Sequence, residues 1–149
     1  AEWKWDGIRV QAVSEGGIRR LYSRTGDDVS GAFPDLAEAM DFSATLDGEL
    51  LVGDPLATGT FSDLQQRLNR KSVTPKIQQQ YPAFMRCYDV LQIGDEDLRA
   101  RSFRERRRRL EAFVQTLDPS RFDLSPLVEF TDWQALEQLR RKPLHPVIE

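Results

Sequence analysis

The stretch EWKWDGIR, residues 2–9, alternates charged and aromatic side chains. In a strand, successive side chains point to opposite faces, so Trp3 and Trp5 share one face and Glu2, Lys4 and Asp6 the other. The pattern predicts a strand with one face for packing and one for polar chemistry. Taken alone, a lysine between two tryptophans has a plain explanation: its stem covers aromatic surface while the ammonium stays wet. The spacing adds to this. A potential nucleophile (Lys4), a carboxylate (Asp6), a permissive backbone point (Gly7) and a guanidinium suited to phosphate (Arg9) fall within one short segment.

Working outward, IRVQAV continues the alternation, SEGG supplies a turn and IRRLYSR resumes it, which predicts a β-hairpin. LAEAMDF, after Pro34 and Asp35, reads as a short helix, and ATLDGELLV as a strand interrupted by Gly48. TFSDLQQRLNR sets Phe61, Leu64 and Leu68 at helical spacing, with Thr60 or Ser62 as N-cap, in a helix ending before Pro75. AFMRCYDVLQI suits a central strand. SFRERRRRLEAFVQTL predicts a helix with Phe103, Leu110, Phe113 and Leu117 inward. DLSPLVEF reads as a short strand, TDWQALEQLRRK as a capped helix with Trp133, Leu136 and Leu139 inward, and HPVIE as the start of another strand. Hairpin strands followed by strands between helices of mixed length predict an α+β fold, with largely antiparallel sheets flanked by helices.

With 149 residues the chain is one domain or a large piece of one. Its net charge of −3 argues against a surface that binds nucleic acid everywhere, so any basic patch is local. A single cysteine, Cys87, and a single histidine, His145, exclude a disulfide framework and a zinc set within this sequence. Cys87, inside an apolar run, reads as an inert buried thiol. No apolar run approaches the ~20 residues that span a bilayer, and the expectation is a soluble cytoplasmic protein with no membrane partner. Both ends read as cut. The expectation is an excised fragment whose unfinished strand at Glu149 leaves an edge open to association.

KWDGIR matches the KxDGxR motif of the covalent nucleotidyltransferase superfamily, which comprises ATP-dependent DNA ligases, RNA ligases and mRNA capping enzymes. Further segments follow in the family's order. YSRTGDD resembles the SR segment after the first hairpin, LDGELLV the DGE strand, and CYDVLQIGDEDLRARSFRERRRRLE the aromatic-Asp strand and Arg-rich helix. EWKWDGIRVQ together with FSDLQQRLNRK looks most like bacterial ATP-dependent DNA ligases. The resemblance implies an adenylation domain of ATP-grasp-like fold, truncated at its C-terminus and spanning residues 1–149, with the OB-fold and any N-terminal DNA-binding domain outside the chain.

By this resemblance Lys4 is the nucleophile that attacks the α-phosphate of ATP, forming lysyl-AMP. That step requires a neutral amine, although an ordinary lysine titrates near ~10.4. Arg9, a divalent metal and the indoles of Trp3 and Trp5 are the groups expected to favour the neutral form. Glu2 would lie near the adenine edge and Tyr88 would stack on its face, although a core-packed strand aromatic is the alternative for Tyr88. Arg9 and Arg24 match ribose and phosphate contacts; Arg24 taken alone is equally a turn-flanking surface arginine. Glu49 matches the DGE glutamate, contacting ribose and helping to place Mg²⁺ or Mn²⁺, and Glu149 matches the first half of a later metal-binding motif. Asp47 reads as a turn or strand-edge residue, and Asp6 as structural.

The arginine-rich segment Arg99 to Arg109 is either a solvated face partly neutralised by Glu105, paired with Arg101 and Arg109, or a phosphate-contacting patch in which Arg104, Arg106 and Arg107 meet DNA. The implied function is sealing of nicks in duplex DNA during repair, replication or recombination. RNA ligase or GTP-dependent capping chemistry is the rival within the superfamily, and a catalytically inactive nucleotide-binding fragment is the rival outside it.

Overall fold

The computed structural model describes residues 1–142. Its frame is a twisted sheet in the order β2-β1-β3-β5-β6: β1 (Ile8–Glu15), β2 (Ile18–Ser23), β3 (Ala44–Asp54), β5 (Ala83–Ile93) and β6 (Glu96–Asp97). All these neighbours are antiparallel. A short β4 (Ala57–Thr58) folds back on β3, and β7 (Phe122–Leu124) runs parallel to β5. The β1–β2 hairpin turns through Gly16 and Gly17, both at positive φ (57° and 81°), as a two-residue turn demands. A 3-10 turn (Ser30–Ala32) and helices α1 (Pro34–Glu38), α2 (Phe61–Gln65), α3 (Pro75–Gln80), α4 (Phe103–Val114) and α5 (Trp133–Arg141) complete the chain. This is the expected α+β arrangement.

The two faces of the sheet differ because the strands alternate. Val10, Ala12, Leu46, Leu50, Val52, Met85 and Cys87 form the buried core face, covered by Leu36 of α1, Leu64 of α2, and Leu110 and Val114 of α4. Full burial of each such aliphatic side chain contributes about 1.5–3 kcal/mol of transfer free energy. Burial also pushes the Cys87 thiol pKa upward, so it stays protonated and inert, as its apolar context predicts. The opposite face carries Arg9, Asp47, Glu49 and Arg86, and beside them a small cluster of Trp5, Leu51 and Phe84 with Trp3 packed against it.

Several expectations are corrected. Residues 2–7 are not a continuous strand: β1 starts at Ile8, and Glu2 forms only an isolated bridge with Leu127. The α2 helix ends at Gln65, capped by a Thr60–Asp63 capping box, and the separate α3 follows Thr74. In α4, Ser102 and Glu105 form the capping box, but Phe103 is exposed and Arg107 takes an inward position. The α5 helix buries none of its residues, and Trp133 is 79% exposed. Strand β7 begins at Phe122, ahead of the expected segment, and stops before Ser125. The HPVIE strand, including Glu149, lies outside the described residues.

Candidate active site

Across the polar face of the sheet opens a cleft of about 1330 Å³. Glu2, Lys4, Arg9, Arg24, Glu49 and Tyr88 all line it. Residues from the N-terminal segment, β1, the loop after β2, β3 and β5 thus converge, as the ordered motifs imply. Lys4 is exposed to the cleft.

Its neighbours in sequence fix where it sits. Trp5 is buried and its indole Nε1–H donates to Ser125 Oγ at 3.0 Å. The Arg86 guanidinium lies 4.1 Å from the centre of the Trp5 ring, an arrangement that attracts cation to π-face. Arg86 is itself held by Asp123, with Nε donating at 3.1 and 3.0 Å, and by the Pro55 carbonyl at 2.8 Å. On the other side of Lys4, the Glu2 backbone bridges Leu127, and its carboxylate lies 3.4 Å from Arg107. Burial raises the Glu2 pKa above the ordinary carboxylate value, and the Arg107 charge opposes that rise. Lys4 is therefore presented between two anchored residues.

Gly7 closes the segment against β3. A Cβ there would stand 2.5 Å from the Leu50 carbonyl oxygen and 2.9 Å from Glu49 Cγ, so only glycine permits this approach. The same approach brings the Gly7 backbone beside Glu49, where its N–H favours the carboxylate. Burial still pushes the Glu49 pKa from 4.5 to about 7, although Gly7, Lys4 and Arg9 pull it down. Glu49 thus exchanges its proton near neutrality, and a nearby cation would favour the carboxylate.

Asp47 is 4% exposed and receives the Arg9 side chain, with Nε donating to Oδ1 at 3.1 Å and Nη2 donating to Oδ2. The pair raises the Arg9 pKa further and aims the guanidinium into the cleft's wall. The expectation of a turn or strand-edge role for Asp47 is corrected: it sits in the sheet and orients Arg9. Tyr88 owes its position to a bulge. Gly48 pairs with Cys87 and Asp47 with Asp89, which leaves Tyr88 as the extra residue and re-aims its ring to the cleft.

The arginine segment divides three ways. Arg104 is exposed. Arg106 donates to both oxygens of Asp89, at 2.8 and 2.9 Å, tying α4 to the cleft's rim. Arg107 is 6% exposed and donates to Glu111 at 2.8 Å and to the Ser125 carbonyl at 2.8 Å. A solvent-facing or DNA-facing Arg107 is thus corrected to a buried tether of the loop that holds Trp5. Arg109 pairs with Glu96, not Glu105, whereas Arg101 lies 3.9 Å from Glu105 as expected.

Sequence reading missed Asp47, Arg86, Ser125 and Asp123. Asp47 and Arg86 each stand two residues before a recognised site residue, Glu49 and Tyr88, so the strand period alone puts Asp47 and Glu49 on one face. Ser125 and Asp123 carry no local signal.

A profile of the family described as "ATP dependent DNA ligase domain" matches residues 1–149, and the chain belongs to that family. A probable DNA ligase of Koribacter versatilis is 34% identical, covering 84% of this chain and 22% of that protein. DNA ligase 2 of Haloquadratum walsbyi is 34% identical over 96% of this chain and 23% of its own length. The chain thus spans less than a quarter of these relatives. Among solved structures, mycobacterial DNA ligase D complexed with ATP and MES has a TM-score of 0.70 at 27% identity, covering 94% of this chain and 44% of that one. The ligase domain of M. tuberculosis LigD gives the same TM-score at 28% identity over 94% and 43%.

Two outcomes follow. Between pH 4.5 and 7 the folded chain holds a proton on Glu49 that the unfolded chain has released, so stability falls as pH rises through that window. Denaturant titrations at pH 5 and 8 should show Glu49→Gln losing about 1–2 kcal/mol less than the wild type over that interval, after allowance for the solvent that reaches the carboxylate. Equal losses would contradict the assignment. Gly7→Ala should lower stability by about 1–3 kcal/mol in the same assay, through overpacking against β3.

Proposed function

We propose that this chain is the adenylation module of an ATP-dependent DNA ligase and that Lys4 carries the nucleotide. The observation that carries the reading is Lys4 facing the cleft between two anchored residues, with Glu49, Arg9 and Tyr88 around the same space. The neutral Lys4 Nζ attacks the α-phosphorus of ATP. A P–N bond forms, the bond to the bridging oxygen of pyrophosphate breaks, pyrophosphate leaves and the amine proton passes to solvent. Tyr88 offers a face for adenine, Glu2 a polar edge, and Arg9 and Arg24 donors for ribose and phosphate.

A divalent cation, Mg²⁺ or Mn²⁺, supplies charge neutralisation on the phosphates when bound. Glu49 is the carboxylate that would hold it, since Asp47 is already engaged by Arg9 and Mg²⁺ needs only one or two protein carboxylates beside the phosphates. Glu149 is the second candidate. In the whole protein, AMP would pass from Lys4 to the 5′-phosphate at a nick in duplex DNA, and the 3′-hydroxyl would displace it. The names of the relatives and the ATP-bound mycobacterial structure support ATP and DNA over GTP or RNA.

Intact-protein mass spectrometry after incubation with a divalent cation and either ATP or GTP tests this. One adenylyl group on Lys4 with ATP, none with GTP and none in Lys4→Ala is the expected result. An adduct that persists in Lys4→Ala would overturn the role of Lys4, and a wild type without adduct would limit the chain to nucleotide binding.

A further inference from the structure

The far end of the cleft holds cations that the motifs do not account for. Tyr88 sits on β5, and the strand order β5-β3-β1-β2 carries the floor across three strand spacings, roughly 14 Å, to the turn beyond β2. At that end the Leu68–Lys71 loop comes down to the rim, and Arg70 and Lys71 line the same cleft as Lys4. Both are exposed.

The loop is held in place from beneath. Arg67 is fully buried, and its guanidinium donates twice to the Ala32 carbonyl (3.0 and 2.8 Å), to Asp35 (2.9 Å for Nη1) and to the Tyr81 carbonyl (2.9 Å). Asp35 also accepts from Arg121 at 3.0 Å and from the Ala83 N–H at 3.1 Å, so the anchor reaches β5. Asn69 turns the chain at φ 62°, in the left-handed region that asparagine tolerates. The Lys71 carbonyl then presses on Gly31, where a Cβ would stand 2.7 Å away. A buried ion pair with every donor engaged is a large investment of structure for a surface loop.

The acids at this end are already engaged. Asp28 accepts from the Ser30 N–H and hydroxyl and pairs with Arg20 at 3.2 Å, and Asp27 accepts from Thr25. Arg70 spends Nε on the Gln66 carbonyl, which leaves its terminal nitrogens as donors. Lys71 has no hydrogen-bond or ion-pair partner among the described residues. Two cations on a rigidly anchored loop, at the end remote from the base platform, form a surface complementary to phosphate.

We propose that Arg70 and Lys71 form a second phosphate-binding subsite at the end of the cleft beyond β2, with Arg67 as the positioning residue that holds it there. The inference rests on the cleft being a nucleotide and nucleic-acid site. The shared chemistry is a phosphate group, supplied either by the terminal phosphates of the nucleotide or by the backbone of a nucleic-acid strand.

The test compares the wild-type chain with R70A/K71A, two exposed positions whose change leaves the core intact, verified by equal thermal melting. One arm measures binding of inorganic tripolyphosphate, and the other measures binding of a nicked duplex across a salt series. A loss on the order of tenfold in the tripolyphosphate arm assigns the subsite to the nucleotide tail. A similar loss in the duplex arm, with the slope of log K against log salt reduced by up to about 2, assigns it to a strand. Equal binding by the variant in both arms, or no binding by the wild type in either, overturns the subsite. Neither arm requires adenylation, so absence of a Lys4 adduct with ATP would limit the chain to nucleotide binding without touching this result.

Discussion

The structure depends on how a segment without regular secondary structure is held still. Residues 2–7 precede the first named strand, yet they present Lys4. The burial of Trp5 supplies what a strand would have supplied: its ring packs on Leu51 and Phe84, its N–H is satisfied by Ser125, and Arg86 covers its face. Each partner is secured in turn. Asp123 on β7 fixes Arg86, and Arg107 on α4 fixes the Ser125 backbone. A buried indole that left its N–H unpaired would lose about 1–3 kcal/mol, so the serine is part of the anchor and not an accident of packing.

The sheet converts that anchor into a site. Its alternation puts hydrocarbon on one face and Arg9, Asp47, Glu49 and Arg86 on the other, and the bulge at Tyr88 brings an aromatic ring to the same side. Electrostatics then separate two carboxylates that stand two residues apart. Asp47 is committed to Arg9, whereas Glu49, half shielded from solvent beside the Gly7 backbone, sits near its titration point at neutral pH. One carboxylate orients a cation of the protein, and the other remains available to a ligand.

Much of this was legible in the sequence, for identifiable reasons. The hairpin, β3 and β5 follow from period-two alternation, and the capping boxes at Thr60 and Ser102 from short local signals. Lys4, Arg9, Glu49 and Tyr88 followed from the order of motifs. What failed did so where tertiary contacts override local pattern. EWKWDGIR alternates like a strand, but Glu2 and Trp5 are fixed by residues more than a hundred positions away, and the first named strand begins only at Ile8. Arg107 looked like one more surface arginine until α4 packed it over Ser125. Trp133 looked like a core residue because its helix is amphipathic, but no described element covers it.

The most direct measurement is amide hydrogen exchange of residues 2–7 in the wild type and in Trp5→Leu. If the Trp5 anchor holds the Lys4 segment, exchange at the protected amides of residues 2–7 accelerates in the variant while β1, β3 and β5 keep their protection. Unchanged protection of residues 2–7, or equal loss across the whole sheet, would contradict the account.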